Sequence, residues 1–516
     1  MEIFVRTQSG RYVDSLETLF ATTVLNDQPG IKDGLAGMGT DSFRDVAAEM
    51  GILTPEIAAA GGADFVIAAR AESAAAFERA LRAVEGQAFA RDSGGAGQRS
   101  YATSEAAVKA HPETNMCSIA VPGEYALAEV KRALNAGLHC VVFSNNVPLA
   151  DEREMKELAR EKGLLCMGPD CGVANINGAA LVLASINARG PFGICGASGT
   201  GIQHVAALLH AAGSGVSQTI GTGGNDLKAQ VCGIMMHMGI DALEADPETE
   251  YIILISRKPD EHVLAGLLER ISALTKPCVA LFMGCDQETV EASGAIWARD
   301  LDDCAAKALE LIGRRCALES DEELHALALE AVKGMAGEQK YVRGAFSGGT
   351  YMDEAMQILT PELGGIWSNA PLSPEYKLPD SYQSRGNCCV DYGEEEFTLG
   401  RPHPAIDPGV RRPAILREAA DPSVAVIILD FILTPPGHMD PAGFVLDDIR
   451  RAMDMVRSRG GKLVFIASVL GTDADFQNLH EQQRKLREAG VIVCSTNCAA
   501  AKLAAEIIKL REEALK

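Results

Sequence analysis

A chain of 516 residues with a formal net charge of −23 excludes a nucleic-acid partner, whose phosphates require a basic surface. Apolar residues make up 47% and aromatic ones only 5%, the balance of aliphatic α/β cores, here in roughly three or four domains. No apolar run reaches the ~18 to 20 residues of a membrane helix, and MEIFVRTQSG lacks the basic and apolar regions of a secretion signal, so the expected location is the cytoplasm.

The 14 cysteines accordingly read as reduced thiols. Cys117, Cys140, Cys166, Cys195, Cys278 and Cys494 sit inside apolar runs, and there is no CxxC. The 10 histidines form no HExxH or HxH, so no metal site is expected.

In chain order, residues 1–95 predict a small α/β domain. Strands are expected over 2–7, 31–39 and 65–69, with helices between them, Asp41 and Thr54 as candidate caps and Pro55 at a first helical position. The polar, glycine-rich stretch 91–99 reads as a linker. Residues 100–187 predict a second unit, with strands over 116–121, 139–143 and 164–167 separated by helices, implying right-handed crossovers and a parallel sheet. Residues 188–314 predict a third unit and 315–340 a charged helical linker. Residues 341–516 predict a fourth unit, whose segment 361–413 reads as irregular and therefore functional or mobile.

The third unit carries the informative stretch. The apolar run Phe192-Gly193-Ile194-Cys195 ends in Gly196-Ala197-Ser198-Gly199-Thr200-Gly201, and apolar residues then recur at helical spacing. A second run, 216–220, ends in Gly221-Thr222-Gly223-Gly224-Asn225-Asp226. Strand, glycine turn and helix set backbone N–H groups and a helix start at one sheet edge, which suits an anion. The fourth unit repeats the pattern, with Ser347-Gly348-Gly349-Thr350 after an apolar run. One such turn is often only a tight turn; two in one unit, echoed in another, argue for a phosphate site.

Other residues carry two readings each. Cys171 in Gly168-Pro169-Asp170-Cys171-Gly172 is a candidate nucleophile or a structural thiol, the latter preferred. His403, beside Arg401, is a proton-transfer candidate or an ordinary surface histidine. Asp391 caps a helix or orients a donor. Asn145 and Asn146 follow a strand and line a cleft as amide donors or simply turn the chain. His204 and His210 read as packing or exposed groups on a helix.

These residues carry a family resemblance. Residues 100–312 are similar to the α-subunit of the ADP- or GDP-forming succinyl-CoA synthetases. The matching pieces are Gly168-Pro169-Asp170-Cys171-Gly172-Val173, Phe192 to Thr200, Ile220 to Asp226, Asp246-Pro247-Glu248-Thr249-Glu250 and Thr275-Lys276-Pro277. Residues 341–516 resemble the C-terminal ligase-like domain of that family's β-subunit, at Phe346 to Thr350 and Val390-Asp391-Tyr392-Gly393. The fused order, with an extra N-terminal domain and no ATP-grasp domain, looks like the FdrA family. The resemblance implies a multi-domain α/β protein: a small N-terminal domain (1–95), a Rossmann-like CoA-binding-type domain (100–187), and two flavodoxin-like ligase domains (188–314 and 341–516).

The departures matter more than the matches. The ligases carry a phosphoryl-accepting histidine in a Gly-His-Ala-Gly-Ala context; the corresponding stretch here, Val290-Glu291-Ala292-Ser293-Gly294-Ala295-Ile296, has none. The ligases' supporting glutamate is replaced by Arg257 and Lys258. The resemblance therefore implies a free phosphorylated substrate, carbamoyl phosphate or an acyl phosphate, held by Ser198, Gly199, Thr200, Gly221, Thr222, Gly223, Gly224, Asn225, Lys258, Gly348, Gly349 and Thr350. Arg257 and His403 are the catalytic candidates, and Asn145, Asn146, Asp170, Cys171 and Asp391 the cleft-lining ones. Members of the family are implicated, with partner subunits, in oxamate carbamoyl transfer in purine-ureide (allantoin) breakdown; an acyl-CoA ligase component working with a separate ATP-grasp chain is the alternative, a non-catalytic scaffold the third. CoA or a nucleotide stays open as cofactor, and an oligomer with partner proteins is expected.

Overall fold

The computed structural model describes every residue except 12, 14, 27, 88–100, 102, 399–402 and 516. The expected linker at 91–99 lies outside the described residues. The chain divides into two compact units, one of Met1–Ser100 with Glu395–His403 and one of Tyr101–Glu394 with Pro404–Lys516.

In the first unit β1 (Glu2–Ser9), β2 (Ile31–Met38) and β3 (Asp64–Ala71) form an antiparallel sheet in the order β1-β3-β2. Alternation in β3 sends Phe65, Ile67 and Ala69 to a core with Leu25 and Phe77, and Val66 and Ala68 to a second core with Phe43, Ile52 and Ile57. Both faces of the sheet are therefore covered. The helix expected to start on Asp41 is capped one residue earlier, where Thr40 Oγ1 accepts from the Phe43 amide.

Among the described residues the second unit contains three sheets. A short parallel one holds β4 (Met116–Ile119), β5 (His139–Val142) and β6 (Cys166–Met167). A seven-stranded sheet follows, with β7 (Val173–Ile176), β8 (Ala179–Val182), β9 (Arg189–Gly196), β10 (Val216–Gly221), β11 (Tyr251–Arg257), β12 (Cys278–Met283) and β13 (Ile296–Trp297) in the order β13-β12-β11-β9-β10-β7-β8. The β7–β8 hairpin, which the sequence reading grouped with residues 100–187, instead joins this sheet antiparallel through Thr219 and Asn175.

The last sheet holds β14 (Tyr341–Phe346), β15 (Trp367–Ser368), β16 (Cys388–Asp391), β17 (Val424–Ile432), β18 (Val464–Leu470) and β19 (Ile492–Cys494), all parallel, in the order β15-β16-β14-β17-β18-β19. Every residue of β17 is buried, as expected of a central strand covered on both faces. Two sequence expectations are corrected here. The segment 361–413 is not irregular throughout, since it supplies β16 beside β14. The stretch 315–340 is not a free linker, since Leu324, Ala328 and Ala331 of the Asp321–Ala331 helix are buried in the main core.

The two larger sheets share one topology. The five parallel strands β10-β9-β11-β12-β13, and likewise β16-β14-β17-β18-β19, follow the order 2-1-3-4-5 of doubly wound flavodoxin-like sheets. In such a sheet the loops after strands 1 and 3 leave in opposite directions and open a crevice. The loop after strand 1 is 197–198 after β9 in one sheet and 347–348 after β14 in the other, each beside the carboxyl end of strand 3, β11 and β17 respectively. One hydrophobic core runs through both sheets, from Phe192, Ile253 and Val205 to Phe346, Ile428 and Ile507. Among the described residues no helix is long and apolar enough to cross a membrane.

Candidate functional site

The turns after β9 and β14 meet. Ser198 caps the Gly199–Ala211 helix, its Oγ accepting from the Gly201 amide at 2.9 Å. The same Oγ lies 2.8 Å from Oγ1 of Thr350, in the first turn of the Gly349–Leu363 helix. These hydroxyls are 152 positions apart in sequence, and both are buried. The second helix is capped by Gly348, which has no side chain to accept from its first amides. Two helix N-termini, each equivalent to about half a positive charge, thus converge, one of them without its own acceptor.

The approach is close enough that any side chain at Gly348 or Gly349 would displace a neighbouring one. A Cβ on Gly348 would lie 2.9 Å from Thr200 Oγ1. One on Gly349 would lie 2.7 Å from Nη2 of Arg257 and 2.9 Å from Oδ2 of Asp391. Arg257, the last residue of β11, and Asp391, the last of β16, therefore flank the same turn. Arg257 ion-pairs with Asp353, one turn along the helix, and keeps more than half its side chain exposed. Burial pushes the Asp353 carboxyl up to about 6, the guanidinium holding it back from rising further. Asp391 is pushed up to about 8, mainly by burial, with the charges of Glu394 and Asp430 adding to the effect and the Gly393 N–H opposing it.

Two supporting residues escaped the sequence reading. Asn369 brackets Asp391, its Nδ2 donating to the Asp391 carbonyl and its Oδ1 accepting from the Asp391 amide, both at 2.9 Å. Asp430, buried in β17, accepts from the amide and hydroxyl of Ser347, each at 2.8 Å, and from Arg411 at 2.9 Å. Neither stands in a glycine motif; the only signal was a polar residue inside or beside an apolar run.

The loop after β10 starts beside the turn after β9, where the Thr222 amide donates to the Gly196 carbonyl at 2.8 Å. The loop Gly221–Asn225 folds onto the Gly168–Val173 turn: a Cβ on Gly221 would lie 2.5 Å from the Val173 carbonyl, and one on Gly223, at φ +82°, 2.0 Å from that of Pro169. Thr222 is fully buried, whereas Gly224 is exposed. The loop is held by Lys156, a fully buried ammonium that donates to Glu152 (2.7 Å), Asp226 (2.9 Å) and the Thr222 carbonyl (2.9 Å). Burial opposes the charge on Lys156, but the two carboxylates outweigh it and raise its pKa. Cys171 packs against Gly221 at 2% exposure, and burial pushes its thiol up to about 12. It is thus a structural thiol and does not line an open cleft. Asp170, at φ +56° in the turn, keeps an exposed edge, but burial of its carboxyl and the charges of Glu394 and Glu152 push it up to about 6, and Glu394 also raises Asp353 and Asp391. Asn145 and Asn146 are exposed in a turn against Gly123, and Lys258 is exposed near Gly284. His403 belongs to the compact unit of residues 1–100.

His204 is neither plain packing nor exposed. Its Nδ1 is 2.7 Å from the Tyr351 hydroxyl and its Nε2 2.9 Å from Asp302, all three being buried. Burial disfavours the imidazolium, but the Asp302 carboxylate outweighs it and raises the His204 pKa.

A family model described as CoA-ligase matches residues 345–507, and one described as AllF, heavy metal-associated domain, matches residues 1–105. YahF of Escherichia coli strain K12 is 39% identical over 518 residues, covering 100% of both chains. A mitochondrial succinate–CoA ligase [ADP-forming] subunit alpha-2 from Trichomonas vaginalis is 29% identical over 33% of this chain and 57% of its own. Among solved structures, the dinucleotide-forming acetyl-coenzyme A synthetase 1 of Ca. Korarchaeum cryptofilum, in complex with phosphate and ADP, is 15% identical over 82% of this chain and 87% of that one, with a TM-score of 0.30.

The heavy-metal description can be tested on the donors present. Residues 1–105 contain no Cys and no His, so the soft thiolate and imidazole ligands that select such metals are missing. Among the described residues no group of three or more His, Cys, Asp or Glu is arranged to hold a metal ion. The donor set does not fit a soft metal, whereas the end-to-end relative and the CoA-ligase match place the remaining features in one lineage: the chain belongs to the FdrA family of succinyl-CoA synthetase-like proteins.

Proposed function

We propose that the chain is the phosphate-holding subunit of a carbamoyltransferase that, with partner subunits, transfers the carbamoyl group of carbamoyl phosphate to oxamate in purine-ureide catabolism. The observation that carries this reading is the meeting of two helix N-termini, where the Ser198 and Thr350 hydroxyls lie 2.8 Å apart with Arg257 alongside. That arrangement suits a phosphate dianion that is not attached to the protein. In the transfer, the acceptor nitrogen attacks the carbamoyl carbon, the bond from that carbon to the phosphate oxygen breaks, and the acceptor loses a proton. The helix starts and Arg257 then stabilise the departing phosphate.

The absence of a histidine in Val290–Ile296 supports a substrate-borne phosphate over a phosphoenzyme. The CoA-ligase match over 345–507 supports a second reading, an acyl-CoA ligase component fed by a separate ATP-grasp chain. Two assays on the chain with its co-purifying partners separate them. Phosphate release from carbamoyl phosphate that requires oxamate, and is lost in Ser198→Asp, is expected. Transfer of label from γ-phosphate-labelled ATP to this chain, without oxamate-dependent release, would replace the first reading by the second.

A further inference from the structure

The two helix starts that meet at Ser198 and Thr350 carry like sign, so contacts beyond the single hydroxyl pair bear on how closely they approach. Behind them lies a buried polar network that the phosphate-site reading leaves unused. His204, on the Gly199–Ala211 helix, bridges Tyr351 of the Gly349–Leu363 helix (2.7 Å) and Asp302 (2.9 Å). The other oxygen of Asp302 accepts from the Thr496 hydroxyl at 2.8 Å. Asn497 donates to the Tyr351 carbonyl at 3.0 Å and to Glu354 at 2.8 Å, while the other Glu354 oxygen accepts from the Leu301 amide at 3.2 Å. The network thereby ties together the first two turns of four helices: Gly199–Ala211, Leu301–Glu310, Gly349–Leu363 and Asn497–Leu515.

We propose that His204 is a positioning residue, whose bridge between Tyr351 and Asp302 sets how closely the two anion-facing helix starts approach. This rests on the phosphate-site reading above, and deepens it. Imidazole suits the task because it presents two nitrogens on opposite sides of a rigid ring. Neutral, it accepts from the Tyr351 hydroxyl and donates to Asp302; charged, it donates to both, so the bridge survives in either state. An aliphatic residue here would pack, but would leave Tyr351 and Asp302 buried without their partner. The edge-on contact of the two rings, 5.5 Å between centroids, fixes the geometry further.

Amide hydrogen exchange and inorganic phosphate binding on the full chain test this. Tyr351→Phe removes one hydroxyl and keeps the ring, and His204→Gln keeps one donor and one acceptor. Both are expected to speed exchange at Gly201, Ile202 and Met352, whose amides bond at the two helix starts, by roughly tenfold, and to weaken phosphate binding to a similar degree. Amides in the centre of β17 should be unaffected, and Asp302→Asn, which keeps an acceptor, should show the smaller effect. Unchanged exchange at the helix starts in both variants overturns the proposal. So does acceleration spread equally into β17, which would mark a general loss of stability. Wild-type protein that binds no phosphate sinks the phosphate-site reading instead, and exchange then decides the positioning role alone.

Discussion

Asp391 shows what burial does to one carboxyl. Its pKa is raised to about 8, so the folded protein holds this proton more tightly than the unfolded chain does. The stability it contributes is fully present below the unfolded carboxyl range, near pH 4, and is lost as pH rises to about 8. Asp391→Asn keeps an acceptor for the Gly393 amide and removes the titration. Its melting temperature should gain on the wild type progressively between about pH 4 and pH 8, by roughly several degrees, and by no more above that. A gap that stays flat across this range would contradict the buried, neutral carboxyl. Arg257 acts at the same scale. Reversing its charge in Arg257→Glu should weaken inorganic phosphate binding at least about tenfold by calorimetry, whereas Lys258→Glu, at an exposed position away from Gly349, should weaken it less.

At the scale of elements, the glycine turns look alike in sequence but are held by different contacts. Gly348 exists for approach, since a Cβ there would lie 2.9 Å from Thr200. Gly348→Val should part the two helix starts and lower phosphate affinity while leaving far-UV circular dichroism unchanged; wild-type affinity in that variant would mean the starts need not meet. The Gly221–Asn225 turn is instead anchored by Lys156, fully buried with Glu152 and Asp226. Lys156→Met keeps the bulk and strands two buried carboxylates, at an expected cost of about 3–5 kcal/mol in urea unfolding. A loss below about 1 kcal/mol would show that water reaches the triad.

At the scale of the whole molecule, the chain joins two sheets of the same topology through one core, next to a shorter parallel sheet, with residues 1–100 in a separate compact unit. The N-terminal unit matches a heavy metal-associated description without its soft ligands. Purified full-length protein dialysed against zinc or copper(I) should therefore retain no stoichiometric metal through residues 1–105, and deleting them should not change the metal content measured by mass spectrometry.

Much of this fold was legible in order. Apolar runs such as 192–195, 251–255 and 424–431 predicted buried parallel strands, because a strand covered on both faces must be apolar throughout. Ser198 was legible as part of a glycine turn at a helix start, where backbone N–H groups gather at a sheet edge. The strand β16 was missed because it is only four residues long and lies among Pro and Gly. The sequence by itself determined the α/β class and the glycine turns at sheet edges, both properties of neighbouring residues, and it shows that Val290–Ile296 has no histidine. Only the tertiary structure decided that Ser198 meets Thr350, that Lys156 reaches Asp226, and that His204 bridges Tyr351 and Asp302. The reason is physical: hydrophobic periodicity states which side of an element is buried, but not which other element it is buried against, and these polar contacts exist only once that choice is made.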